Sequence, residues 1–293
     1  MANTEASTDV LDARPIDPDQ GEAVWPLSIE AGWNQNLADW RFMLAAGRGF
    51  GCMGQDGRWQ ASSLVLPLGQ KLAWISMVLV TKDRRRGGVG TGLLRRCIEE
   101  VRAAGAVAGL DATEQGRPIY LPLGFRDLYP IARWHFDATA EQPTEPPGGI
   151  VLRPAGVADL PRLALYDRPL TGMERPAILA HLALRQPSRA WLAEDGAGKV
   201  AGFVLGREGR VATSIGPVVA DSEQIALALI ARAARSGPGP FIMDVPIAHQ
   251  EVRAWLERQG ATSPRGYMRM TLGEAKRLDD PSHVFALAGP ELG

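Results

Sequence analysis

Side chains that build disulfides, metal sites and redox centres are scarce in this chain: its 293 residues include two cysteines, four histidines and four tyrosines. Cys52 and Cys97 cannot form a disulfide framework, and Cys97 falls on the apolar stripe of a predicted helix, which points to core. His135, His181, His249 and His283 are scattered without paired ligand spacing, so no metal site is expected. Neither sign of charge is in excess. The 32 Lys and Arg and 33 Asp and Glu leave a formal net charge of −1, which argues against a protein that coats nucleic acid. No apolar run is long enough to cross a bilayer, so no membrane partner is expected. Met1–Asp12 lacks a basic region leading into an apolar core, and no secretory leader is predicted. With so few cysteines, a reducing cytoplasm is the simplest expectation.

Glycine, by contrast, is plentiful, and four glycines crowd one turn. The apolar run Trp74–Val80 leads through Arg84, Arg85 and Arg86 into Gly87, Gly88, Gly90 and Gly92. Residues without a Cβ let the backbone adopt crowded conformations and bring its N–H groups close to a ligand. After the turn, Leu93, Leu94, Cys97, Ile98 and Val101 recur at helical spacing, with Arg95, Arg96, Glu99, Glu100 and Arg102 on the other face. An amphipathic helix therefore starts at the glycines, and its unpaired N–H groups and dipole favour a diphosphate there. A nucleoside triphosphate loop would need Lys and Ser or Thr after Gly92, where Leu93 and Leu94 stand. A dinucleotide fingerprint beginning at Gly88 and Gly90 would need glycine at 93, which is Leu93.

What fits is Arg85-x-x-Gly88-x-Gly90, preceded by an apolar strand and followed by Leu-Leu. This resembles the pyrophosphate-loop signature of the GNAT superfamily of acyl-CoA-dependent N-acyltransferases. Downstream, Val107–Thr113 reads as a buried strand, and Tyr120–Leu121–Pro122–Leu123–Gly124–Phe125 is similar to a second GNAT segment. The resemblance implies that acetyl-CoA is the cosubstrate. The amides of Arg86, Gly87, Gly88, Val89, Gly90 and Thr91 would hold its pyrophosphate, with Arg84, Arg85 and Arg86 adding charge, and Val78, Leu79 and Val80 would pair with its pantetheine arm. Tyr120 would protonate the departing thiolate. Glu30 and Asp111 are candidate bases for the amine. Trp33 and Asn34, in the turn that walls the acceptor site in this family, are candidate substrate contacts, as are Asp167 and Arg175 from a loop expected to overhang the acceptor groove.

A segment almost without apolar side chains, 138–149, predicts a linker. Ahead of it, helices are expected near Ile16–Leu27 and Gln35–Ala45, and strands near Gly49–Met53, Trp59–Pro67 and Lys71–Val80. Behind it, the same order restarts: strands near Ile150–Pro154, Ala190–Glu194, Lys199–Gly206, Val211–Val219, Pro240–Pro246 and Tyr267–Leu272, with helices near Val157–Tyr166, Glu174–Leu184, Ser222–Ala234 and His249–Gln259. The expected fold class is α/β in the α+β sense, with two tandem GNAT-like domains at 1–137 and 150–293. Each would be an open, mixed, mostly antiparallel sheet flanked by helices. The second copy has Ile215–Gly216–Pro217–Val218 where the arginine and Gly-x-Gly would stand, so only the first should hold the cofactor. It resembles the C-terminal domain of tandem acetyltransferases, whose ends read like Ala286–Gly293.

The resulting expectation is acetyl transfer to a primary amine of a small molecule, by a monomer or homodimer. An acyl-CoA or small-ligand sensor without turnover and a docking module are the alternatives.

Overall fold

The computed structural model describes residues 13–137, 144–273 and 278–293; part of the expected linker, 138–143, lies outside them. In chain order the strands are β1 (Arg14–Ile16), β2 (Arg48–Met53), β3 (Trp59–Pro67), β4 (Leu72–Val80), β5 (Val107–Thr113), β6 (Phe125–Phe136), β7 (Ile150–Pro154), β8 (Trp191–Asp195), β9 (Val200–Arg207), β10 (Thr213–Ala220), β11 (Phe241–Pro246), β12 (Thr262–Leu272) and β13 (Val284–Ala286). The α-helices are α1 (Gly21–Val24), α2 (Pro26–Glu30), α3 (Leu37–Ala46), α4 (Val89–Ala103), α5 (Arg117–Tyr120), α6 (Leu160–Thr171), α7 (Pro176–Arg185), α8 (Glu223–Arg235) and α9 (Gln250–Arg258).

The long helix expected near Ile16–Leu27 is broken into pieces. Ile16 is strand, paired opposite Gly49 of β2. Pro18 and Pro26, which lack a backbone donor, each start a new short helical segment. The other expected elements are present with shifted ends, and the mixed, mostly antiparallel character holds: among the described residues only β4–β5 and β10–β11 run parallel.

The strands form one sheet, in the order β1-β2-β3-β4-β5-β12-β6-β11-β10-β9-β8-β7, with β13 added to β10. Its centre is an exchange. β12, from the second half of the chain, lies between β5 and β6. β6, from the first half, lies between β12 and β11. Each half thus lends one long strand, β6 or β12, to the sheet of the other, and residues 1–137 do not contain all of the sheet that surrounds them.

Strand periodicity sorts the cores. In β3, Leu64 and Leu66 face one way, into a cluster with Trp40 and Met43 of α3, Leu163 of α6 and Leu182 of α7. Ala61 and Val65 face the other way, onto Leu93, Leu94, Cys97 and Val101 of α4. The first cluster spans both halves, so α3, α6 and α7 pack one continuous layer. A third cluster gathers α8 and α9 on β10 and β11.

Candidate active site

The site starts where two parallel strands part. β4 and β5 pair only through Leu72–Val107, Ala73–Ala108 and Trp74–Gly109. Beyond Trp74 the edge of β4 that faced β5 has no strand partner, which leaves backbone groups available to an added strand. A bulge re-aims this edge: on β3, Leu64 pairs with Ser76 but Ser62 pairs with Leu79, so β4 carries an extra residue. Met77 takes a left-handed φ of 52° there, and its carbonyl accepts a hydrogen bond from the Ser62 hydroxyl at 2.8 Å. The core pattern registers the slip, with Leu72 and Trp74 followed by Met77 and Leu79 in one cluster.

From Val80 the chain enters the glycine turn. Arg86 (φ 66°) and Gly88 (φ 78°) both pass through the left-handed region, which is rare and costly for a residue with a Cβ. Gly88 is the N-cap of α4 and offers no side chain to the first turn, so the amides of Val89, Gly90 and Thr91 are not capped. A Cβ on Gly90 would stand 3.4 Å from Val80 Cγ2, which puts the glycine against the mouth of the splay. Arg85 donates through Nε to the Val80 carbonyl at 3.1 Å. A cleft of about 470 Å³ runs along these groups, lined by Val78, Leu79, Val80, Arg85 and Gly90 on one side and Thr113, Gly116 and Tyr120 on the other. Uncapped helix amides, an adjacent arginine and an unpaired strand edge together suit a ligand with a pyrophosphate and a narrow amide-bearing arm.

The cleft leads to an inner chamber of about 80 Å³. Trp33, Val78, Thr113 and Tyr120 line both spaces, so Tyr120 stands where they meet. It is the last residue of α5, its ring centroid is 6.0 Å from that of Phe125, and burial pushes its phenol up to about 12, with buried Cys97 adding to the shift. Among the described residues Tyr120 Oη has no hydrogen-bond partner. The chamber wall comes from both halves: Gln35, Ser76 and Asp111 from the first, Tyr267, Pro290 and Glu291 from the second. Trp74 Nε1 donates to the Pro290 carbonyl at 2.8 Å and holds the tail against the wall.

Several expected site residues hold the fold instead. Asp111 lines the chamber, but both of its oxygens accept from Arg269, at 2.9 Å each, so it is not a free base. Burial pushes its carboxyl up against the attraction of that guanidinium. Arg269 also donates to Asp279 at 2.8 Å and stacks 4.7 Å from the Trp74 ring centroid. Glu30 does not line the cleft or the chamber; it accepts the amide of Lys82 at 2.8 Å and fastens the entry to the turn. Asn34 is buried, with its side chain bonded to Ala212 O, Ser214 Oγ and the amides of Val211 and Ala212, so it clips the two halves together and is no substrate contact. Asp167 and Arg175 do not overhang a groove. Asp167 lies within α6, pairs with Arg175 through two 2.9 Å bonds, and Arg175 holds the backbone oxygen of Gly293 at 2.7 Å. Of the four substrate-contact candidates, Trp33 alone reaches the cavities. Gln35, Ser76 and Glu291 were missed; a lone acid in the otherwise apolar, small-residue run Ala286–Gly293 was the available signal for Glu291.

The second half has the same splay, and it is filled. β10 and β11 pair in parallel only at Thr213–Phe241 and Ser214–Ile242. Into the opening runs β13, antiparallel to β10, with Val218 opposite Ala286 and Val219 opposite Val284. The chain's own tail thus occupies, on β10, the counterpart of the edge that β4 leaves open. A Cβ on Gly216 would meet the Leu287 carbonyl at 2.0 Å, so the tail lies directly on this strand. The helix behind it is closed as well: Ser222 caps α8 by accepting the Ile225 amide at 3.3 Å. Among the described residues no group of three or more His, Cys, Asp and Glu side chains could hold a metal ion, and no helix is long and apolar enough to cross a membrane.

Comparison with known proteins finds a family match in each half. Residues 19–125 match the acetyltransferase (GNAT) family, and residues 163–286 match a further acetyltransferase (GNAT) domain. The uncharacterized N-acetyltransferase YitH of Bacillus subtilis is 25% identical over 265 residues, covering 90% of this chain and 92% of the relative. A Pyrococcus horikoshii protein assigned as an acetyltransferase shares the fold with a TM-score of 0.77 at 21% identity, over 96% of this chain and 95% of its own. A tandem GNAT protein from the clavulanic acid biosynthesis pathway shares it with a TM-score of 0.61 at 15% identity, over 90% and 98%. With an open strand edge and an uncapped helix in one half, a plugged counterpart in the other and a GNAT match over each, the chain belongs to the GNAT superfamily as an acetyltransferase with two GNAT domains in tandem.

Proposed function

We propose that the first half binds acetyl-CoA in the cleft between β4 and β5 and that the protein transfers its acetyl group directly to a primary amine of a small molecule in the inner chamber. The observation that carries this reading is that Tyr120, with Trp33, Val78 and Thr113, lines both spaces. The amides from Arg86 to Thr91 and the side chain of Arg85 would meet the pyrophosphate. The unpaired edge at Val78–Val80 would pair with the pantetheine arm and polarise the thioester carbonyl through a main-chain N–H.

The neutral amine attacks the thioester carbon; the C–N bond forms, the C–S bond breaks, and Tyr120 gives its proton to the leaving sulfur. The proton lost by the amine returns to Tyr120 through water in the cleft. A phenol held protonated by burial is suited to this role at neutral pH. Calorimetric titration with acetyl-CoA, followed by thiol release with a panel of primary amines, tests the proposal. Binding with amine-dependent thiol release supports it; binding without release favours a sensor, and absence of binding removes both.

A further inference from the structure

We infer that the acceptor enters the inner chamber as an alkylammonium group and that Glu291, delivered by the tail of the second half, is its anchor until the ammonium gives one proton to water in the cleft and attacks as the neutral amine. This rests on the cleft being the acetyl-CoA site.

Three polar atoms of the chamber-lining residues are buried without a hydrogen-bond partner: Gln35 Oε1, Ser76 Oγ and Glu291 Oε2. Their residues are 4%, 7% and 2% exposed, so solvent does not satisfy them. Each can accept a hydrogen bond. A primary ammonium presents three donors and no acceptor, which complements such a set.

Charge points the same way. Arg133 is matched one to one by Asp244, with bonds of 2.7 Å. Arg269 faces two carboxylates, Asp111 and Asp279. Arg207 likewise faces two, Asp39 and Glu291. Arg133, Arg269 and Arg207 are thus each engaged by at least one carboxylate, and even with Asp39 shared with Arg185 the surplus around them is negative. A carboxylate on the acceptor would meet this negative surplus, whereas a cation would find Glu291 Oε2 without a hydrogen-bond partner.

The carboxylate is also held in place. Arg207 binds its other oxygen, Trp74 holds Pro290, and the Leu292 amide bonds the Gly289 carbonyl at 3.0 Å. Such prior fixing lowers the cost of binding. A chamber of about 80 Å³ has room for the aminomethyl end of such an acceptor. The substrate class is therefore a primary alkylamine without a carboxylate on the carbon next to nitrogen.

The test titrates propylammonium chloride into the protein loaded with coenzyme A, by calorimetry, for the wild type, Glu291→Gln and Glu291→Asp. The expected result is a loss of about tenfold or more in propylammonium affinity for Glu291→Gln, with acetyl-CoA affinity unchanged. Alanine, which adds an α-carboxylate, should bind the wild type at least about tenfold more weakly than propylammonium. Should Glu291→Gln fail to fold, Glu291→Asp, which keeps a charge for Arg207 but withdraws the second oxygen, must show the loss. Equal propylammonium binding by wild type and variant, no binding by the wild type, or a preference for alanine overturns the inference. If acetyl-CoA does not bind the wild type, the reading of the cleft fails, and propylammonium titrated into the unloaded protein still tests the anchor.

Discussion

At the scale of single residues, the site depends on which polar groups are paired and which are left open. Tyr120 is placed between two cavities with no competing partner, and burial keeps its proton on until about pH 12. Tyr120→Phe is expected to lower kcat by about 100-fold or more while leaving acetyl-CoA affinity within about twofold, measured by thiol release and calorimetry. If the rate and its pH profile do not change, the phenol is not the acid. Asp39 shows the opposite use of burial. Its burial alone would raise the carboxyl, but Arg207, His181 and Arg185 outweigh that and hold it below the usual carboxylate range. An unfolded chain would take up that proton at about pH 3.9. The stabilisation is therefore full above that value and is lost as pH falls toward the folded one. Asp39→Asn should cost about 3–5 kcal/mol at pH 7, and the gap from wild type in urea unfolding should begin to narrow only as pH falls below about 4.

At the scale of elements, two equivalent strand edges have opposite fates. The edge of β4 is open and leads to an uncapped helix start; the edge of β10 carries β13 and leads to a helix capped by Ser222. Gly90→Val adds methyl groups at the mouth of the open cleft, where a Cβ meets nothing closer than 3.4 Å. Acetyl-CoA affinity should fall at least about tenfold with little change in melting temperature, since valine is no worse a helix former than glycine. Gly216→Ala acts on the closed edge. Its φ of 153° and the Leu287 carbonyl 2.0 Å from the new Cβ force the tail to move, at a cost of about 1–3 kcal/mol. Because the same tail carries Glu291, thermal unfolding and amine KM should change together in this variant; a lower melting temperature with an unmoved KM would separate the plug from the chamber.

At the scale of the whole molecule, the halves are not separable. Removing everything after residue 143 deletes β12 and leaves facing edges of β5 and β6 unpaired, together with the β6 edge that met β11. Such a fragment should aggregate and bind no acetyl-CoA, as checked by size-exclusion chromatography and calorimetry. A soluble 1–143 fragment with wild-type affinity would show that the shared sheet is dispensable. The restart of element order after the linker was legible in sequence because strand and helix periodicities are local. The exchange of β6 and β12 was not, since either strand could satisfy its pattern beside several neighbours.

The amino-acid order alone determined the glycine turn, the amphipathic helix behind it, the position of Tyr120 and the absence of a second glycine turn, all of which lie in runs where neighbours in sequence are neighbours in space. Tertiary structure decided which charges remain free. Asn34 meets Ala212 across 178 positions, Asp111 meets Arg269 across 158, and Trp74 meets Pro290 across 216. A carboxylate takes its role from the partner that burial brings to it, and no local pattern encodes a partner so far along the chain. For that reason Asp111, which looked like a base, is a strut, and Glu291, in a segment that looked like a closing tail, faces the chamber with one oxygen unclaimed.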